Sequence, residues 1–222
     1  MNYIILILIA VICCFAVCFE SQLYSENDYK VSKKFKLFLP QNKENTVMFI
    51  IIMLMLILAG VFLEYIYSNA ILENIKLLLI LAILCPAAYT DWKDHVIQNK
   101  LILSAVCLRI LIYIIEVINN PAAALSIGMS AAISATAIFI IGFLSALIFK
   151  SGVGMGDIKL MSVMALYQGA SGVVCSIVIS LIVSFVYCVV ALIGKKKSKK
   201  DVIPFAPSLL MGTYISILLF GI

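Results

Sequence analysis

The segment SGVGMGDIKL, Ser151 to Leu160, separates two long apolar blocks with two spaced glycines, an aspartate and a lysine. A charged side chain at the edge of hydrocarbon is costly, so Asp157 is interpreted first as a functional residue. Glycine allows a positive φ and a close approach of the backbone. The segment is therefore either a plain turn between two helices or a loop that lets an extended peptide lie beside Asp157.

The composition of the chain is that of an integral membrane protein. It has 222 residues, of which 64% are hydrophobic and 12% charged, and its mean hydropathy is +1.18. A soluble domain would be about half apolar and about a quarter charged. We predict an all-α, polytopic membrane bundle that forms a single domain over 1–222. The net charge of +5 is interpreted as a topology signal, so no nucleic acid is expected as a partner.

The apolar blocks predict about eight transmembrane helices joined by short links. The first block has no positive residue ahead of it and no small-residue cleavage site, which favours a retained span over a signal peptide. The predicted spans cover approximately residues 2–19, 47–67, 71–90, 101–118, 122–149, 157–168, 170–193 and 205–221.

Most of the 16 basic residues lie in alternate links, which indicates that these links face the cytoplasm and that both termini lie outside. Lys76 falls on the opposite side, and Arg109 falls inside a span. The residues that set the bias are Lys30, Lys33, Lys34, Lys36 and Lys43, then Lys93 and Lys100, then Lys150 and Lys159, and finally Lys195, Lys196, Lys197, Lys199 and Lys200.

Two aspartates are predicted at the same membrane depth, because Asp91 follows the third span and Asp157 precedes the sixth. A helix that begins at Asp157 would favour its ionised carboxylate through free N–H groups and the helix dipole, whereas Asp91 at a helix end lacks this support. Two carboxylates in one site hold one proton between them near neutral pH. One then acts as base on a water and the other as acid towards a carbonyl, which predicts aspartic-protease chemistry.

Metal and cofactor chemistry is not expected. His95 is the only histidine, which is too few ligands for a histidine-based metal site. The seven cysteines lie in apolar runs without a Cys-x-x-Cys pair and are interpreted as small buried hydrophobic residues. Asp94, between Lys93 and His95, is expected to be an ordinary solvated residue.

Two prolines break the chain just before the last span, in the segment Pro204–Pro207. One interpretation is a helix N-terminus with proline in its first turn. The other is a kinked segment that lines a cavity, where irregular backbone is tolerated inside a membrane.

Three segments together resemble the type IV prepilin peptidase family of membrane aspartic proteases. The family carries an Asp followed six residues later by Ile-Pro-Asn, then Gly-x-Gly-Asp, then Pro-Phe-Gly-Pro with a later Leu and Gly. The matching residues here are Asp91, Ile97, Gln98 and Asn99; Gly154, Gly156 and Asp157; and Pro204, Phe205, Ala206, Pro207, Leu209 and Gly212. The resemblance covers about residues 75–222 as a peptidase core and leaves 1–74 as an N-terminal two-helix region.

The resemblance implies cleavage of the short basic leader of prepilin or pseudopilin-like proteins at the cytoplasmic face of the cell membrane. It implies Asp91 and Asp157 as the catalytic pair. Residues expected to bind substrate or shape the site are Gly154, Gly156, Lys159, Ile97, Asn99, Pro204, Phe205 and Pro207. The other expected partner is membrane lipid. Pilins, competence pseudopilins and secretion pseudopilins all fit as substrates, and no oligomeric state is indicated.

Two departures from the family pattern are expected to affect substrate fit and not the chemistry: Gln98 replaces proline and Ala206 replaces glycine. Larger members resemble enzymes that also N-methylate the product and carry a cysteine cluster after the first span. The corresponding link here, Glu20 to Thr46, has no cysteine, so methylation is not expected.

Two other functions stay open at this point. Intramembrane proteases of the presenilin and signal-peptide-peptidase type also use Gly-x-Gly-Asp, but their Tyr-Asp and Pro-Ala-Leu patterns do not match here. A small transporter would use Asp91, Asp157, Arg109 and Glu116 as an ion relay. Arg109 and Glu116 lie seven residues apart on one helix face, so an internal charge pair, with Glu64 as a further candidate, explains them more simply.

Overall fold

The structure is a computed structural model, and it describes residues 2–25, 43–67, 69–148, 154–193 and 204–222. All regular structure in these ranges is helical. The helices are α1 (Asn2–Ser25), α2 (Lys43–Phe62), α3 (Ile71–Asp94), α4 (Asn99–Asn119), α5 (Pro121–Ile148), α6 (Met155–Ile193) and α7 (Ala206–Phe220), and a π-helical turn, Leu63–Tyr67, extends α2.

The protein is a multi-pass membrane protein. Within the described ranges, five helical segments are long and apolar enough to cross a membrane. They are Phe49–Tyr67, Ile71–Asp94, Asn99–Asn119, Pro121–Ile148 and Met155–Ile193. The apolar helices Tyr3–Val17 and Ala206–Phe220 are shorter. The all-helical membrane class predicted from composition is therefore confirmed.

Helix α6 is broken at Gly169. It is 39 residues long, and Gly169 has φ 70° and ψ −172°, a conformation that is essentially restricted to glycine. The break falls between the two spans predicted over 157–168 and 170–193. The first part of α6 begins at Met155, two positions before the start predicted at Asp157. Gly154 therefore precedes the helix, and Gly156 lies in its first turn.

Helix α3 is the centre of the bundle and is shared by two hydrophobic clusters. On one side it packs with α1, α2 and α7 through residues such as Leu77, Leu78 and Leu81. On the other side Ile80, Ile83 and Leu84 pack with α4, α6 and α7. Because α3 packs against both groups, this packing positions its final turn, which carries Asp91.

The cysteines follow their predicted role only in part. Cys13, Cys14 and Cys85 are buried in the cluster formed by α1, α2 and α3. Cys107 is exposed on the outer face of α4, so the prediction that it is buried is wrong. An apolar run in a membrane helix covers both the packed face and the face towards lipid, and the run alone does not separate them.

Candidate active site

Asp91 lies in the last turn of α3 and is buried, with 7% of its surface exposed. Its Oδ2 accepts a hydrogen bond of 2.8 Å from the backbone N–H of Ala206, the first residue of α7. The first N–H groups of a helix have no partner inside the helix and carry its positive dipole end. The α7 N-terminus therefore supplies Asp91 with the support that the sequence predicted only for Asp157.

Asp157 is the third residue of α6, and its carboxylate accepts a backbone hydrogen bond from Gly154. Gly154 precedes the helix, so the pair reproduces the backward bond of a capping box. A Cβ on Gly154 would lie 3.0 Å from Oδ2 of Asp157, so any side chain there would crowd the carboxylate. The other oxygen, Oδ1, is buried and has no hydrogen-bond partner among the residues that the structure describes.

The two carboxylates belong to one site, because Asp91 and Asp157 lie close enough for their charges to interact electrostatically. The C-terminal turn of α3 and the N-terminal turns of α6 and α7 meet here. The two aspartates lie far apart in the sequence, so the packing of these helices is what brings them together. The arrangement has the elements of an acid–base pair: two carboxyl groups, each held by a backbone amide, at converging helix ends.

Two contacts join the connection between α3 and α4 to the start of α6. A Cβ on Gly156 would lie 3.1 Å from the Cβ of Ile97, so any side chain there would force Ile97 to shift. Lys159 Nζ donates a 3.0 Å hydrogen bond to Oδ1 of Asn99. Both contacts join the segment that follows Asp91 to the helix that carries Asp157.

The segment Pro204–Pro207 forms the start of α7, with Pro207 as its second residue. The structure therefore shows the helix N-terminus of the first interpretation, since proline is tolerated in a first turn. The segment also borders Asp91 through the N–H of Ala206. Pro204 is buried and Phe205 is half-buried against the cluster around α6. Ala206 matches the proline motif but is not among the residues predicted to bind substrate or shape the site. The signal was present in its position inside the proline motif, although a backbone donor leaves no mark in the side-chain pattern.

The sequence model of the type IV leader peptidase family matches residues 77–191, more than half of the chain. The chain belongs to the type IV leader peptidase family. Membership makes the protein a peptidase with a prepilin-type substrate, as the resemblance implied. No curated protein and no solved structure is similar enough to the chain to be matched to it. The match includes Asp91, Asp157 and the contacts between their segments, and it ends before the proline motif of α7.

Three residues that follow Asp91 in this peptidase differ from one another in their exposure and contacts. Trp92 is exposed and makes an edge-on contact with Tyr187 of α6, with ring centroids 6.2 Å apart. His95 ends α3 in the left-handed conformation, with φ 53°, and its N–H donates to the backbone oxygen of Asp91. Asp94 is exposed, as expected for a solvated residue.

A second group of charges lies elsewhere in the peptidase. Arg109 and Glu116 form the predicted internal pair at 3.0 Å, and Lys76 joins it at 3.0 Å from Glu116. Glu64 is not part of the pair: its carboxylate accepts a hydrogen bond from Asn74. Lys76 precedes Asp91 by about 22 Å along α3, at 1.5 Å per residue. The two charged groups are therefore separate sites.

Proposed function

We propose that this protein is an aspartic endopeptidase that removes the short basic leader of prepilin or pseudopilin-like proteins at the cytoplasmic membrane face. The observation that carries the proposal is the convergence of Asp91 and Asp157 at three helix ends. The family supplies the leader-peptidase activity, and the two carboxylates supply a chemistry for it.

The two aspartates have different roles in this proposal. The Asp91 carboxylate, which accepts the Ala206 N–H, is the ionised base and takes a proton from the attacking water. Asp157 carries the shared proton on Oδ1, because a buried charged oxygen without a donor is strongly disfavoured. Asp157 donates this proton to the scissile carbonyl oxygen as water adds to the carbon. When the tetrahedral intermediate collapses, Asp91 passes its proton to the leaving amine and Asp157 recovers its own.

The proposed orientation rests on the lysine bias of the links. Several of these lysines, Lys30, Lys33, Lys34, Lys36, Lys150 and Lys195–Lys200, lie outside the described residues, as do Ser151, Gly152 and Val153 of the glycine segment. The break in α6 supports a count of eight spans, with its two parts as separate spans. The contact between Trp92 and Tyr187 supports a return of the second part to the end of the bundle that holds Asp91.

Substrate recognition is proposed to occur at the aspartates and not at the lysine-rich links. The leaders are themselves basic, so like charges in the links would repel them. The negative charge of the pair attracts a basic residue just before the cleaved bond. The apolar start of the mature protein then lies along the spans beside Gly154 and Gly156, unwound only at the bond. The peptidase core is proposed to be 75–222, with 1–74 as an attached two-helix region.

The test is cleavage of candidate prepilins in membranes by Asp91→Asn and Asp157→Asn. Each change should abolish processing while the protein still inserts, because neither carboxylate alone supplies both acid and base. Asp94→Asn is the matched control and should process normally. An epoxide esterifies an ionised carboxylate and a diazo compound esterifies a protonated one, so mass spectrometry should find the first on Asp91 and the second on Asp157. Full activity in either asparagine variant contradicts the mechanism, and reversed labels contradict the roles.

A further inference from the structure

A cavity of about 400 Å³ lies beside the break in α6, remote from the aspartates. It is lined by three charged side chains, Glu73, Lys76 and Arg109, and by the turn from Tyr167 to Ser171. Charged groups inside a membrane protein are costly, and broken membrane helices are tolerated where they line a cavity or contact protein. The leader-peptidase chemistry uses none of these residues.

Part of the charge network has a structural role. Arg109 Nε donates a 2.6 Å hydrogen bond to the backbone oxygen of Leu166, in the last turn before the break. Carbonyls in a last turn lack their usual helical partners, so Arg109 satisfies one of them. Lys76 pairs with Glu73 at 2.8 Å and with Glu116 at 3.0 Å. Two positive and two negative groups leave the network neutral.

Gln168 lies in the lining of the cavity, and only one of its two polar side-chain atoms has a partner among the described residues. Its Nε2 donates to Ser176 Oγ at 3.0 Å and lies 3.4 Å from the backbone oxygen of Ile222. Its Oε1 is buried and has no partner among the described residues. The Glu73 carboxylate, also in the lining, is 46% exposed. Gln168 Oε1 is therefore an acceptor in the lining without a donor among the described residues, and the half-exposed Glu73 carboxylate accepts from Lys76 and has room for a further donor. Both favour a ligand that carries N–H or O–H groups.

An apolar groove of about 360 Å³ lies next to the cavity, between α4 and α5. Arg109, Ala131 and Leu166 line both spaces. The other groove residues are Val106, Ile110, Tyr113, Gly128, Met129 and Ala132. A mixed-charge polar cavity therefore adjoins an apolar groove between two candidate membrane spans, α4 and α5.

We propose that this combined site binds one membrane phospholipid with a primary-amine headgroup, of the phosphatidylethanolamine type. The ammonium group donates to the Glu73 carboxylate and Gln168 Oε1, and the phosphate lies against Arg109 and Lys76. One acyl chain fills the apolar groove. A neutral network of paired charges complements a zwitterion better than an anion, and a choline headgroup has no N–H to donate.

Native mass spectrometry of the full-length protein tests the site with phosphatidylethanolamine, phosphatidylcholine and phosphatidylglycerol. We expect retention of the ethanolamine lipid about tenfold tighter than the other two, or about 1.4 kcal/mol. Ala132→Trp fills the groove and should remove this preference. Ala137→Trp changes an exposed alanine of α5 outside the groove and should keep it. Equal retention of the three lipids, or an unchanged preference in Ala132→Trp, overturns the proposal.

A crosslinking experiment identifies the occupant in membranes without a disruptive substitution. Met129 lines the groove and is 57% exposed, so a benzophenone amino acid at this position keeps a large apolar side chain. The expected product is the protein plus one aminophospholipid. A principal product with a prepilin or with a second copy of the chain would show that the groove is a protein-docking surface, and would overturn the lipid assignment.

Discussion

The backbone amide of Ala206 is the decisive partner of Asp91, and it explains why alanine is compatible with this position. Glycine, the usual residue of the family pattern, presents the same N–H, so the replacement leaves the 2.8 Å hydrogen bond intact. The Ala206 side chain is buried in the cluster that packs around α6. At the scale of one residue, the substitution therefore changes packing and keeps the contact with the carboxylate.

Gly156 is predicted to be required for full activity because of space and not because of charge. Gly156→Ala places a Cβ 3.1 Å from that of Ile97 and should slow cleavage a few-fold. The larger Gly156→Val should slow it by about tenfold or more, which corresponds to about 1.4 kcal/mol of barrier. Prepilin processing at equal membrane abundance measures both, and Ile97→Ala should restore part of the loss.

Gly60→Ala in α2 is the matched control, since its Cβ would meet Leu78 at an ordinary 3.4 Å. Cleavage should be unchanged in this variant. If Gly156→Val processes prepilin at the normal rate, the close contact between Ile97 and Gly156 does not position the site.

The hydrogen bond between Lys159 and Asn99 is predicted to position the aspartates by joining their segments. Lys159→Met and Asn99→Ala should each lower kcat several-fold with little change in KM, because the misplaced carboxyl groups act in the transition state. The double variant should be no slower than either single one, since both changes remove the same bond. Strictly additive losses would show that the two residues act independently.

Helix α6 carries Asp157 in its first turn and is broken at Gly169, before the midpoint of its 39 residues. Its first part carries Asp157 and ends beside Arg109, which caps Leu166 from the neighbouring helix α4. The break leaves Gln168 free to bond with Ser176, on the part of the helix that follows it. The charge network and the glycine therefore define where the first part of α6 ends, at the opposite end from Asp157.

Gly169→Ala should destabilise the protein by about 1–3 kcal/mol, because its φ of 70° with ψ near 180° is strained for any residue with a Cβ. There is open space around the position, so the expected effect comes from backbone strain and not from a clash. Thermal unfolding in detergent measures it, with Gly60→Ala in the regular helix α2 as comparison. Equal stability of Gly169→Ala and the parent protein would contradict the observed break.

At the scale of the molecule, α3 links the two-helix region to the helices that carry the site. Its two faces pack into different hydrophobic clusters, one with α1 and α2 and one with α4 and α6. Asp91 at its end and Lys76 near its start mark opposite ends of the bundle. The proposed cytoplasmic location of the aspartates therefore places the lipid cavity towards the outer leaflet.

Labelling of single cysteines in intact cells should test this orientation, in a background without the native cysteines. Ser198→Cys in the lysine-rich link should be protected from a membrane-impermeant maleimide, because the positive links remain inside. Asn120→Cys, in the exposed connection between α4 and α5, should react. The opposite pattern would place the aspartates on the outer face and exclude cleavage of a cytoplasmic leader.

The sequence by itself determined the membrane class and most helix positions, because hydrophobic length and composition are local properties. It also indicated Asp91, Asp157 and the internal pair of Arg109 and Glu116. The order of the motifs and the positive charge of alternate links were enough to suggest that the two aspartates lie at the same depth in the membrane.

Only the tertiary structure decided which helix ends meet. It gave Asp91 the amide of Ala206, brought Lys76 into the buried charge network and set Ile97 against Gly156. It also showed that Pro207 lies in the first turn of a helix and that Gly154 precedes one. These contacts join residues far apart in the chain, and a membrane helix is apolar on almost every face. The pattern of one segment therefore does not specify its neighbours, which are selected by packing and by the partners that buried polar groups require.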